Sequence, residues 1–115
     1  ALYSLGGRWG RPRGRTPTTH ILKPPSADYV GFAENEHVCL ALAAELGLGA
    51  ARTAVQSFDG ETAIVVERFD RRLRGAVHRR VHQEDLCQAL SVLPWNKYES
   101  EGGPGVGAIV PLIQE

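Results

Sequence analysis

Methionine is absent from this 115-residue chain, aromatic residues make up only 7%, and there are two cysteines. Net charge is absent too, because 13 basic residues balance 13 acidic ones. That balance gives no whole-molecule attraction to nucleic acid or to an acidic membrane surface. No stretch approaches the roughly 20 apolar residues a membrane span needs, and the first residues lack the pattern of a signal peptide. Cys39 and Cys87 lie far apart, each inside a helix-like apolar pattern. Buried free thiols of a cytoplasmic protein are therefore expected, and nothing argues for the alternative of one disulfide. Gly-x-Ser-x-Gly, a Walker loop and Cys-x-x-Cys are all missing, which removes three common signatures of enzymatic chemistry.

What is present suffices for a core. Hydrophobic residues make up 43% of the chain, and a domain of this size buries about two-thirds of its unfolded surface. The length suits one domain or a piece of one. Charge is unevenly placed. Residues 8–23 carry Arg8, Arg11, Arg13, Arg15 and Lys23 with no acid, and residues 68–80 carry six arginines against Asp70 alone. Such clusters are either solvated surface or contacts for phosphate.

Patterning predicts a strand over Ala1–Leu5, a Gly6-Gly7 turn, and an Arg-, Gly- and Pro-rich loop or edge hairpin to Thr18. A second strand, Thr19–Lys23, is cut off by Pro24-Pro25, and residues 26–31 read as a loop. From Phe32 to Leu46 the period becomes helical. Val38, Leu42 and Leu46 form one apolar stripe, Glu34, Glu36 and Glu45 lie off it, and Gly47 supplies the stop. Arg52–Phe58 and Thr62–Glu67 form a hairpin around Asp59-Gly60, and a weaker hairpin spans Arg72–Val81 around Gly75. A short helix starts near Gln83-Glu84-Asp85, a rigid loop holds Gly102-Gly103-Pro104-Gly105, and an apolar helix runs from Val106. One helix inserted among antiparallel strands makes the fold class α+β.

Three constellations carry chemistry. Lys23 ends a strand, an acid-bearing helix follows, and two further strands lead to Glu67. That is the plan of a protein kinase small lobe, in which a strand lysine meets nucleotide phosphates and a helix glutamate holds it. Glu34 and Glu36 are two apart and cannot face the same way on a helix, so at most one reaches Lys23. The abrupt end of Ala63-Ile64-Val65-Val66 at Glu67-Arg68-Phe69 then reads as a connector whose backbone meets an adenine edge, with the Phe69 ring near the base. The plain alternatives are an exposed lysine, a strand end at Glu67 and a core anchor at Phe69. His78 and His82, with Cys87 near, have helical metal-ligand spacing, but two ligands without the fuller zinc patterns assign no metal.

Five segments in order, TPTTHILKPP (16–25), ENEHVCLALAAELGL (34–48), VERFDRR (66–72), HQEDLCQAL (82–90) and KYESEGGPG (97–105), resemble the HipA family of toxin serine/threonine kinases. The resemblance implies a kinase-like fold with residues 1–70 as small lobe and 71–115 as the segment after the hinge and the incomplete start of a large lobe. It also implies use of ATP and Mg²⁺, a DNA-binding antitoxin partner, and a protein substrate such as glutamyl-tRNA synthetase. Residue by residue, Lys23 resembles the ATP-phosphate lysine, and Glu36, the acid of the Asn-Glu pair, its helix partner. Glu67, Arg68 and Phe69 resemble the adenine-binding hinge, Asp70 lies at the mouth of the nucleotide pocket, and Gln83 lines it. The family's Ser-x-Ala-Gly-x-Gln-x-Lys loop and Asp-Gly-His-x-x-Asn segment do not occur in these residues. The expectation is a truncated kinase, inactive alone, that dimerises through its exposed lobe surface or terminal segment. The alternative is a stand-alone, non-catalytic module that docks on a kinase or antitoxin.

Overall fold

The computed structural model describes residues 1–25, 30–75 and 77–114, in two compact units, Ala1–Val81 and His82 onward. The expected loop over 26–31 lies mostly outside the described residues. The first unit is built on a three-stranded antiparallel sheet of β3 (His20–Lys23), β5 (Glu61–Glu67) and β4 (Thr53–Phe58), with β5 in the middle. Its sequence explains the position: Ala63, Ile64 and Val65 are buried, Ile64 completely, and β-branched residues suit a strand covered on both faces. Asp59 and Gly60 close the β4–β5 hairpin at φ 51° and 85°, the paired left-handed geometry of a type I′ turn.

Two hairpins flank this sheet, β1 (Tyr3–Leu5) with β2 (Arg8–Gly10), and β6 (Arg71–Arg74) with β7 (Val77–Arg80). Cross-strand partners share a face of a sheet. Register pairs Ile21 with Val66, Lys23 with Ile64, and Thr53 with Val66, so these residues line one face. Helix α1 (Phe32–Glu45) packs there, with His37 Nδ1 2.7 Å from Thr53 Oγ1. His20, Leu22, Val65 and Phe58 line the opposite face, where Trp9 of β2 stands edge-on to His20 at 5.0 Å and to Phe58 at 6.2 Å.

The extent of α1 agrees with its sequence. Gly47 takes φ 79°, its N–H donates to Ala44 and that of Leu48 to Ala43, the paired bonds of a Schellman stop. Its orientation differs from the expectation. Val38, Leu42 and Leu46 are 58–69% exposed, while Ala33 is buried and Glu36, His37 and Leu40 are half-buried. The helix carries apolar residues on two sides, and the side with small and polar groups is the one that meets the sheet. For the same reason Cys39 is exposed rather than buried; Cys87 is half-buried and both thiols are free.

The second unit holds α2 (Leu86–Ala89), two single 3-10 turns at Pro94–Asn96 and Glu99–Glu101, and α3 (Val106–Gln114). Asp85 caps α2 reciprocally with Gln88: its Oδ1 accepts the Gln88 N–H at 2.8 Å, and Gln88 Oε1 accepts the Asp85 N–H at 3.0 Å. No helix among the described residues is long and apolar enough to cross a membrane. The fold is α+β.

Candidate functional site

Lys23 is the last residue of β3, and Pro24 follows it. Its Nζ donates to Glu36 Oε1 at 2.5 Å, with the lysine side chain 44% and the glutamate 24% exposed. Glu34, two residues earlier, is exposed on α1 and has no ion-pair partner among the described residues. An ammonium carries three donors, so one carboxylate oxygen leaves two of them for another anion. At this exposure the pair contributes little to stability, about 0.5 kcal/mol. Its consequence is positional: a flexible side chain is held over one face of the sheet.

The other end of the β3–β5 strand pair is the exit of β5. Along β3 and β5 the register runs from Lys23 opposite Ile64 to His20 opposite Glu67, an offset of three residues or about 10 Å. The sheet takes up the next two amides: Glu67 N–H donates to the Arg52 carbonyl at 2.8 Å and Arg68 N–H to the Thr19 carbonyl at 2.9 Å. Phe69 N–H has no backbone partner among the described residues. The Phe69 ring is 70% exposed, so it is no core anchor. Beside it lies an open concavity of about 340 Å³ lined in part by Ala51, Arg52, Glu67 and Phe69; Lys23 stands outside it.

The side chains of Arg68 and Asp70 pair with each other. Asp70 is only 7% exposed. Arg68 donates through Nε and Nη2 to Asp70 Oδ1 and Oδ2 at 2.9 and 2.7 Å, and Arg71 Nη1 donates to Oδ2 at 2.6 Å. Arg71 Nε also donates to the Thr18 carbonyl at 2.6 Å, and the Asp70 carbonyl accepts from Val81 N–H at 2.9 Å. The Arg68 guanidinium, followed by that of Arg71, holds the Asp70 carboxyl below the usual carboxylate range, against the opposing effect of burial. Asp70 in return holds Arg68 above its ordinary value. This carboxylate and its arginines tie the segment after β5 to the entry of β3 and to the β6–β7 hairpin.

Gln83 is exposed in the second unit, ahead of α2. Sequence reasoning missed two members. Buried Thr19 accepts the Ser4 N–H on Oγ1 at 2.9 Å and lies 2.8 Å from His20 Nδ1. Burial lowers the His20 pKa, with Glu67 raising it and His78 lowering it to lesser degrees. Neither residue shows a local signal, because Ser4, Glu67 and His78, which act on them, lie on other strands. Among the described residues no three His, Cys, Asp or Glu side chains group as metal ligands.

The family model described as HipA-like C-terminal domain matches residues 2–115. The protein Y4mE of Sinorhizobium fredii is 49% identical over 105 residues, covering 90% of this chain and 25% of its own. The serine/threonine-protein kinase toxin HipA of Shewanella oneidensis is 35% identical over 106 residues, covering 90% of this chain and 24% of its own. The solved complex of HipA, HipB and operator DNA from Shewanella oneidensis MR-1 matches with a TM-score of 0.78 and 32% identity, over 93% of this chain and 25% of that one. The chain thus spans about a quarter of the length of the relatives it matches. A family match over nearly every residue, with a solved HipA of the same fold, means that this chain belongs to the HipA-like C-terminal domain family.

Proposed function

We propose that this chain is the nucleotide-facing part of a HipA-like serine/threonine protein kinase, the toxin of a toxin–antitoxin pair. The observation that carries the reading is the 2.5 Å pair of strand lysine Lys23 and helix glutamate Glu36, set at one end of the β3–β5 pair whose other end is the Glu67–Phe69 exit. Lys23, held by Glu36, presents its remaining donors to the α- and β-phosphates of ATP. The Phe69 N–H and the Glu67 carbonyl hydrogen-bond the adenine edge, and the exposed Phe69 ring lies against the base. ATP, when bound, supplies the phosphoryl group. Among the described residues no group of three His, Cys, Asp or Glu side chains occurs that would hold Mg²⁺. Residues 1–70 act as the small lobe and 71–115 as the crossing and the start of the larger one. The Shewanella HipA solved with HipB and operator DNA supports a DNA-binding antitoxin as partner; a protein substrate such as glutamyl-tRNA synthetase rests on the resemblance alone.

The test is a calorimetric titration of the chain with ATP and with adenosine. Lys23→Ala is expected to weaken ATP about tenfold, the worth of one hydrogen bond to a charged group, and to leave adenosine nearly unchanged. Equal losses for both ligands, or no nucleotide bound by the unaltered chain, would overturn the reading. Phosphoryl transfer also needs an orienting base and metal-binding carboxylates. The chain incubated alone with ATP and Mg²⁺ is therefore expected to stay unphosphorylated, and a phosphorylated product in an intact-mass spectrum would contradict this.

A further inference from the structure

The β6–β7 hairpin carries arginines that the kinase reading does not use. Its register sets Arg72 directly opposite Arg79 and Arg71 opposite Arg80. One face looks inward, with Arg71 bound to Asp70 and His78 edge-on to Tyr3 at 5.7 Å. The other face presents Arg72, Arg74 and Arg79, all exposed, and among the described residues none of them pairs with a carboxylate. Arg80, on the Arg71 side of the hairpin by register, is also exposed and donates to the Arg15 carbonyl at 3.3 Å. A concavity of about 440 Å³ lies among Arg72, Arg74, Arg79 and Arg80.

Like charges directly opposite one another across an antiparallel pair work against the hairpin. An external polyanion removes that repulsion, and guanidinium forks match phosphate oxygens two at a time. Arg72 and Arg74, two residues apart on one strand, are separated by about 7 Å, and a nucleic-acid strand carries a phosphate about every 3.4 Å along its axis. A two-stranded ribbon also fits a major groove about 12 Å wide. Among the described residues the outer face carries no aromatic ring on which an unstacked base would sit, since His78 lies on the Arg71 side. We infer that the outer face of the β6–β7 hairpin binds the phosphate backbone of duplex nucleic acid, without reading its sequence. The inference does not depend on the nucleotide site.

The experiment is fluorescence anisotropy of the full 115-residue chain with short mixed-sequence duplexes at rising NaCl, alongside thermal melting. Arg79→Glu replaces a repulsive cross-strand pair with an attractive one. It is expected to leave the melting temperature equal or higher while weakening duplex binding about tenfold, and to lower the slope of log K against log salt by about one or more. Arg72→Gln is a second variant, expected to lower the slope by about one. Lys97→Gln, in the other unit, is the charge control and leaves binding unchanged. Binding of both duplex DNA and duplex RNA supports the inference, and binding of either duplex alone identifies which source the face selects. Preference for single strands, capture of heparin or an acidic peptide but no duplex, or full binding by both arginine variants would each overturn it.

Discussion

Asp70→Ala is expected to destabilise the first unit by about 3 kcal/mol, since removing one partner from a buried ion cluster leaves charges uncompensated. Both oxygens of this carboxylate are spent on guanidiniums. The Arg71 side chain is itself only 8% exposed, so it cannot simply turn to water. Arg68, at 24% exposed, relaxes more cheaply, which keeps the loss in the lower part of the range for buried pairs. The damage spreads because Arg71 also holds the Thr18 carbonyl, 53 residues away in sequence. Urea unfolding followed by circular dichroism measures it. A loss below about 1 kcal/mol would mean that the cluster behaves as an ordinary surface pair.

Acid supplies an independent check on the same group. In the folded state the Asp70 carboxyl sits below its usual pKa, chiefly through Arg68. The unfolded chain therefore takes up this proton first, and the contribution is fully present above about pH 4 and lost as pH falls through the lower folded value. His20 also has a lowered folded pKa, mainly through burial; its contribution starts to fade earlier, below about pH 6.5. The difference in stability between the unaltered chain and Asp70→Ala should hold constant across the His20 window and shrink only below about pH 4. A difference that shrinks near pH 6 would assign the effect to the histidine instead.

Local signals in the sequence revealed elements more readily than faces. The β-branched run before Glu67 identified the central strand, Asp59-Gly60 marked a turn that only left-handed backbone closes, and Gly47 ended α1 where its Schellman bonds form. The face of α1 was not legible, because Leu40 and Ala43 on the packed side look no more apolar than Val38 and Leu42 on the exposed one. Spacing narrowed the partner of Lys23 to Glu34 or Glu36 but could not choose; only the rotation of the helix against β3 brings Glu36 to it. Asp70 shows the same limit more sharply. Its flanking arginines are visible in Arg68-Phe69-Asp70-Arg71, yet whether they leave its oxygens free depends on the long-range bond of Arg71 to Thr18.

Gly103→Ala should cost the second unit its ordered loop. A Cβ at this position would stand 2.1 Å from the Asn96 carbonyl oxygen and 2.8 Å from that of Tyr98. Both are backbone atoms of the consecutive 3-10 turns, and Gly103 N–H itself donates to the Tyr98 carbonyl at 2.9 Å. The Tyr98 oxygen also accepts the Glu101 N–H and cannot withdraw without breaking a turn, and the Asn96 approach is the closer one, so the cost falls at or above the upper end of overpacking, about 3 kcal/mol. Gly105→Ala is the matched comparison, since its Cβ would meet the Glu99 carboxylate at 2.6 Å, the far end of a flexible side chain that can rotate away. Amide hydrogen exchange over residues 94–105 reads the two variants side by side. Strong loss of protection is expected for Gly103→Ala and little for Gly105→Ala; equal protection in both would show that the loop yields to the methyl group without unfolding.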